Sequence, residues 1–311
     1  MAVSNVLGVT SVLLDTGSDV IIGGITQCAI QSGSEHMAEP TNGDVYPQIA
    51  SIKAQKPSAS FTTKALKVAL DGVGLAALDI GGLATGLTFF GQAHDDGGTR
   101  KGASLHRQYL IKEGIIVPGR LSASHQEDAT LSYDVTITYD GTNNPVAESD
   151  TVSLPAAQAD ISRYTVGKVT IGGIVLPQVR SIELDFGFTV QSEGADSDIW
   201  DTFASIRTVQ PKLTIRGIDP TWLKAANIPF AGKAGVVGDT IIYLKKRLPG
   251  GTYELDATVA HIKITCTGVG NIQTMFSGSG TGAAECDLLM TLYAPTAGGV
   301  PLVIVTASAI T

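Results

Sequence analysis

The chain has 311 residues, room for two ordinary domains or one large one, with 6% aromatic and 16% charged residues and a formal net charge of -8 at pH 7. An acidic chain of this kind is not built to grip phosphate, which takes clusters of Lys and Arg, and it should repel nucleic acid rather than hold it. The 36 glycines and abundant Thr, Val, Ile and Ala favour strands and turns over long amphipathic helices, and three cysteines with no CxxC pair (Cys28, Cys266 and Cys286) argue against a disulfide framework or a zinc site and for a reducing compartment.

In chain order, the first residues, MAVSNVLGVTS, lack a basic and then apolar leader pattern, so no secretory signal is expected. The stretch VLLDTGSDVIIGG (12–24) carries the Asp-Thr-Gly of an aspartic protease, but that chemistry needs two carboxylates sharing one proton. The simpler expectation is a tight turn between a strand ending at Leu14 and another starting at Val20. The polar run QSGSEHMAEPTNGD (31–44), with His36 and Glu39 three apart, is expected to be a flexible loop. SIKAQKPSASFTT (51–63) predicts strand, proline break and strand, and TKALKVAL (63–70) a short helix.

GVGLAA (72–77) imitates a dinucleotide fingerprint, but its surroundings predict a glycine-rich turn into a strand instead. The enclosing stretch 72–91 approaches membrane-span length, yet Asp79 and its many glycines make a span unexpected. His94, Asp95 and Asp96 are adjacent and cannot all face one ion, so a solvated loop is expected there. TLSYDVTITYDGTNNP (130–145) alternates Leu131, Tyr133, Val135, Ile137 and Tyr139 on one face and then enters an Asp-Gly turn, as a half-exposed antiparallel strand does. Residues 153–164 resemble a linker, and DPTWLKAA (219–226) predicts a second short helix with Asp219 as its cap. His106, His125 and His261 stand apart from any Ser or Cys motif suggestive of nucleophilic catalysis, and there is no phosphate-binding GxxxxGK[ST]. The final stretch VPLVIVTASAIT (300–311) predicts a strand able to augment a neighbour.

The chain is written twice. DVYPQIASIKAQKP (44–57) aligns without gaps on DIWDTFASIRTVQP (198–211), an offset of 154, with identity at Asp44/Asp198, Ala50/Ala204, Ser51/Ser205, Ile52/Ile206 and Pro57/Pro211. Chance would give about one identity in such a window. IGGI at 22–25 matches IGGI at 171–174, and Tyr139 and Val146 fall opposite Tyr293 and Val300. Two units are expected, residues 1–155 and 156–311, each mostly antiparallel sheet with one helix at its side. Tyr46 and Trp200, at equivalent sites, are expected to anchor the core. Sliding the Asp15 motif by the offset of the IGGI match lands on Tyr164-Thr165-Val166, where no second carboxylate stands. No catalytic, cofactor-binding or metal-binding residue is therefore assigned.

Residues 43–70 (GDVYPQIASIKAQKPSASFTTKALKVAL), then 114–141 (GIIVPGRLSASHQEDATLSYDVTITYDG) and more faintly 196–223 (DSDIWDTFASIRTVQPKLTIRGIDPTWL), resemble major tail tube proteins of long, non-contractile tailed bacteriophages. The resemblance implies a β-sandwich unit with a flanking helix, six of which close a ring whose inner sheets form a barrel around a lumen. A chain with two such units implies a trimeric ring with pseudo-sixfold symmetry, stacked into a tube for double-stranded DNA that passes without specific binding. It further implies a structural virion protein, not an enzyme, with no cofactor and no membrane insertion, assembled in the host cytoplasm. Its partners would be itself and other tail proteins such as the tape measure, tail terminator and distal tail protein. A tail-tip hub or distal tail ring and a cell-surface-binding β-sandwich are the alternatives.

Overall fold

The structure, a computed structural model, describes residues 6–15, 19–40, 45–73, 82–83, 86–95, 98–102, 105–156, 162–194, 199–219, 222, 236–277 and 285–311. The protein is mainly β, and every described ladder is antiparallel. The first half comprises β1 (Val6–Asp15), β2 (Asp19–Ile22), β3 (Ile25–Gln31), β4 (Ser34–Pro40), β5 (Pro47–Gln55), β6 (Ser58–Thr63), helix α1 (Leu66–Gly72), β7 (Gly82–Leu83), β8 (Leu87–His94), β9 (His106–Ile111), β10 (Glu113–Ser124), β11 (Thr130–Thr138) and β12 (Val146–Val152). The second comprises β13 (Arg163–Ile171), β14 (Ile174–Leu176), β15 (Ser181–Asp185), β16 (Phe188–Glu193), β17 (Phe203–Val209), β18 (Lys212–Ile218), β19 (Val236–Arg247), β20 (His261–Ser277), β21 (Glu285–Leu292) and β22 (Leu302–Ser308).

Period-two patterning sets the core. In β11 the alternate residues Leu131, Tyr133, Val135 and Ile137 are buried, as are Ala59, Phe61 and Thr63 of the neighbouring β6. In the first half, the sheet β3-β6-β11-β10 lies against the sheet β12-β9-β8-β1-β2. Phe61 stacks on Tyr133 at 5.0 Å and meets Phe89 of the opposite layer edge-on at 5.8 Å. Leu66 and Leu70 of α1 pack into the same cluster. Pro57 separates β5 from β6, and Pro118 sits at a register shift in β10, the places in a sheet that tolerate a missing N–H.

The second half repeats this pairing strand for strand. β1-β2, β1-β8, β9-β12, β10-β11, β11-β6, β6-β3 and β4-β5 correspond to β13-β14, β13-β19, β20-β22, β20-β21, β21-β18, β18-β15 and β16-β17. The long β20 does the work of β9 and β10 together, and β19 that of β7 and β8. Glycines mark the same corner twice: Gly33 (φ 56°) accepts the Lys56 amide at 3.1 Å, and Gly187 (φ 63°) accepts the Gln210 amide at 3.0 Å. At both sites a Cβ would fall on the partner's carbonyl, so only glycine fits the corner.

Three expectations are corrected. Residues 34–40 are strand β4 of a hairpin with β5, not a loop; both faces are largely solvated, so no alternation marks them. The IGGI match is not structural, because Gly172 and Gly173 turn β13 into β14, the counterpart of the β1-β2 turn, whereas Gly23 and Gly24 lie between β2 and β3. The C-terminal strand β22 pairs with β20 of its own chain. Of the second helix only Asp219 and Trp222 fall within the described residues, the Trp222 amide bonding the Asp219 carbonyl at 3.1 Å. Most of the GVGLAA stretch and of the linker lies outside them.

Gly33→Ala and Gly187→Ala should each destabilise the fold by roughly 3 kcal/mol in urea denaturation, because both combine left-handed backbone with a steric clash.

Candidate assembly interface

Two contacts join the halves. The first is a ladder: β10 pairs with β15 from Arg120↔Asp185 to Ser124↔Ser181, and the Phe186 amide adds a bond to the Gly119 carbonyl at 3.0 Å. Glu183 receives Arg120 at 3.1 Å and Arg216 at 3.6 Å across this junction. The second is an aromatic clasp. Trp200 lies 4.9 Å from Tyr139, donates its indole N–H to Gln55 Oε1 at 2.8 Å, and is flanked by the Gln55 amide bonding Ile199 O and the Tyr139 amide bonding Asp201 O. The buried Asp201 carboxylate accepts from Ser192 and pairs with Lys56 at 3.7 Å.

The ladder fuses the halves into one run of strands, β3-β6-β11-β10-β15-β18-β21-β20. Its two ends match its middle. β3 is the counterpart of β15, and β20 beyond Val269 is the counterpart of β10. Among the described residues β3 pairs only with β6, and the last part of β20 only with β21. Because Gly33 bonds Lys56, strand alternation turns the amides of Cys28 and Ile30 towards the open edge, as Phe186 turns its amide towards β10. Beside this edge opens a cavity of about 620 Å³ lined by Cys28, Ile30, Ser32, Phe89, Tyr109 and Trp200. Its opening follows from one substitution between the copies: Ser32 stands where the second half buries Phe186.

The face of this run turned away from the core is rich in hydroxyls and carboxylates. Ser58, Ser60, Thr62, Ser122, Ser132 and Thr214 occupy it with Asp134, Glu183, Asp185 and Asp287, against Arg120, Lys212 and Arg216. Partial burial pushes the Asp134 carboxyl up. The apolar repeat positions Val45/Ile199, Tyr46 and Ile49/Phe203 are exposed on or beside the hairpins β4-β5 and β16-β17. Tyr46 is 77% exposed and Trp200 half-buried in the clasp, so neither is the core anchor expected of it. A sequence cannot separate an apolar residue kept for a core from one kept for an interface.

The chemical candidates do not converge. Asp15 pairs in register with Asp19, Thr16 to Ser18 lie outside the described residues, and the equivalent turn of the second half holds Gly172 and Gly173. His94 bonds the Gln92 amide, while Asp95 caps its own turn through the Thr99 amide at 2.8 Å. Buried His106 accepts the Ala93 amide on Nδ1, and His261 accepts that of Lys246 and bonds the Leu255 carbonyl. Burial, chiefly, pushes the thiols up to about 11 for Cys28 and Cys286 and about 12 for Cys266, so they are poor nucleophiles. Among the described residues no group of His, Cys, Asp or Glu could hold a metal ion, and no helix is long and apolar enough to cross a membrane. In comparison with known proteins, the chain matches no family model and no curated sequence.

His106 supplies a pH test. Burial, then Arg100 and His94, lower its affinity for a proton in the fold, while the unfolded chain binds one near the ordinary value of 6.5. Stability from this group is therefore complete above that value and falls as pH drops below it. The melting temperature should fall between about pH 7 and about pH 5, and fall less in His106→Asn, whose amide oxygen can still accept the Ala93 N–H.

Proposed function

We propose that the chain is the structural protein of a tail tube, of the kind long non-contractile phages use to deliver double-stranded DNA. Three chains close a ring of six β-sandwich units, and rings stack into the tube. One observation carries this: the β10-β15 junction inside the chain has its two partners repeated, each with an open edge, at β20 and β3. Repeating that junction between chains lets β20 of one copy pair with β3 of the next, and a sheet that closes on itself leaves no edge exposed.

In such a ring the hydroxyl- and carboxylate-rich face lines the lumen. A wall of that chemistry offers DNA phosphates few cations and lets the polymer slide. The net charge of -8 supports the same role. The tape measure, tail terminator and distal tail protein would meet the tube inside and at its ends, the virion being the final location and the host cytoplasm the place of assembly.

Ile30→Pro removes an open-edge amide that the monomer does not use. In analytical ultracentrifugation the wild-type chain should form species in multiples of three as concentration rises, while Ile30→Pro stays monomeric with a melting temperature within a few degrees of wild type. A variant that assembles like the wild type would remove the sheet-edge junction.

A further inference from the structure

The aromatic clasp has a counterpart that the single chain does not close. Trp200 belongs to the second half and docks on Tyr139 and Gln55 of the first. The residue matching Trp200 in the first half is Tyr46, 77% exposed. The receiving surface is repeated too: Tyr293 matches Tyr139 and is 36% exposed, and Val209 matches Gln55 and is half-buried. One end of the chain thus presents an aromatic plug, and the other presents the surface on which its counterpart already docks.

We propose that Tyr46 of one copy docks on Tyr293 and Val209 of the next, as a clasp between chains. The inference rests on the ring proposed above and adds to it a specific residue pair outside the sheet. The same rotation that carries the first half onto the second brings β3 of the neighbour to the place of β15 and Tyr46 to the place of Trp200. Edge pairing and aromatic docking are therefore reached in one approach.

The residues that differ between the two versions set its character. The Lys56–Asp201 pair beside Trp200 becomes Gln210 and Pro47, and the Gln55 amide oxygen that takes the indole N–H becomes the aliphatic Val209. Glu183 and Arg216 of the ladder become Ala29 and Thr62. Without those charges the contact between chains is apolar, with Val45 beside Tyr46 as Ile199 is beside Trp200. Its strength then depends little on salt, since screening acts on charges, and a Tyr is the type of residue that carries an interface.

The test is the concentration at half-assembly, read by sedimentation and electron microscopy, for wild type, Tyr46→Ala, Tyr293→Ala and the double variant. Each single variant should raise it about tenfold, and the double should add little, as expected of two residues in one contact. Both side chains are exposed, so the monomer melting temperature should not move, and Tyr46→Trp should restore or strengthen assembly. Wild-type values should hold between low and high salt. If rings form and both alanine variants assemble as wild type, or if their effects simply add, the clasp is wrong while the ring stands. If the wild-type chain forms no rings at any concentration, the ring and the clasp fall together.

Discussion

The ladder between β10 and β15 is the constraint on which the rest of the molecule depends. Residues Arg120 to Ser124 and Ser181 to Asp185 turn two sandwiches into one continuous eight-strand run. A hydrogen-bonded ladder fixes separation, register and direction at once, so the second half cannot wander relative to the first. Trp200 adds a second point of attachment away from the sheet, which fixes the remaining rotation. Two units held in one fixed relation define an operator, and nothing in the ladder limits that operator to a single use.

That operator explains features that a self-sufficient monomer would have no reason to keep. A long sheet with open edges invites uncontrolled pairing, and proteins usually blunt or cover such edges. Here the edge of β3 carries Cys28, Ala29 and Ile30, uncharged and without proline, beside a cavity opened by Ser32. Exposed Tyr46, Ile49 and Phe203 lie on hairpins that make little core. Closure by further copies gives each of these a partner. The ion pairs at the intrachain junction are surface pairs of small energetic weight, so their absence from the matching positions between chains costs little.

How far the sequence revealed this follows from where each residue's signal comes from. Strand β11 was legible because Leu131, Tyr133, Val135 and Ile137 face a dry core and their neighbours face water. The repeat was legible around Pro57 and Pro211 because both copies need the same break and the same glycine corner. Hairpin β4-β5 was not, since solvent on both faces erases the alternation. IGGI misled because short glycine turns recur wherever strands reverse. Tyr46 misled in the opposite way: its aromatic character was plain, but burial against a neighbour and burial in a core leave the same mark on a sequence. The β3 edge could not be read at all, because an edge is defined by which strand is missing beside it.

The most direct test of the whole account is negative-stain electron microscopy of the purified chain at rising concentration, with rotational analysis of end-on views. Six units from three chains predict hollow rings whose averages show sixfold modulation at low detail and only threefold symmetry at higher detail. Discrete monomers or dimers at every concentration, or rings with another rotational order, would contradict it.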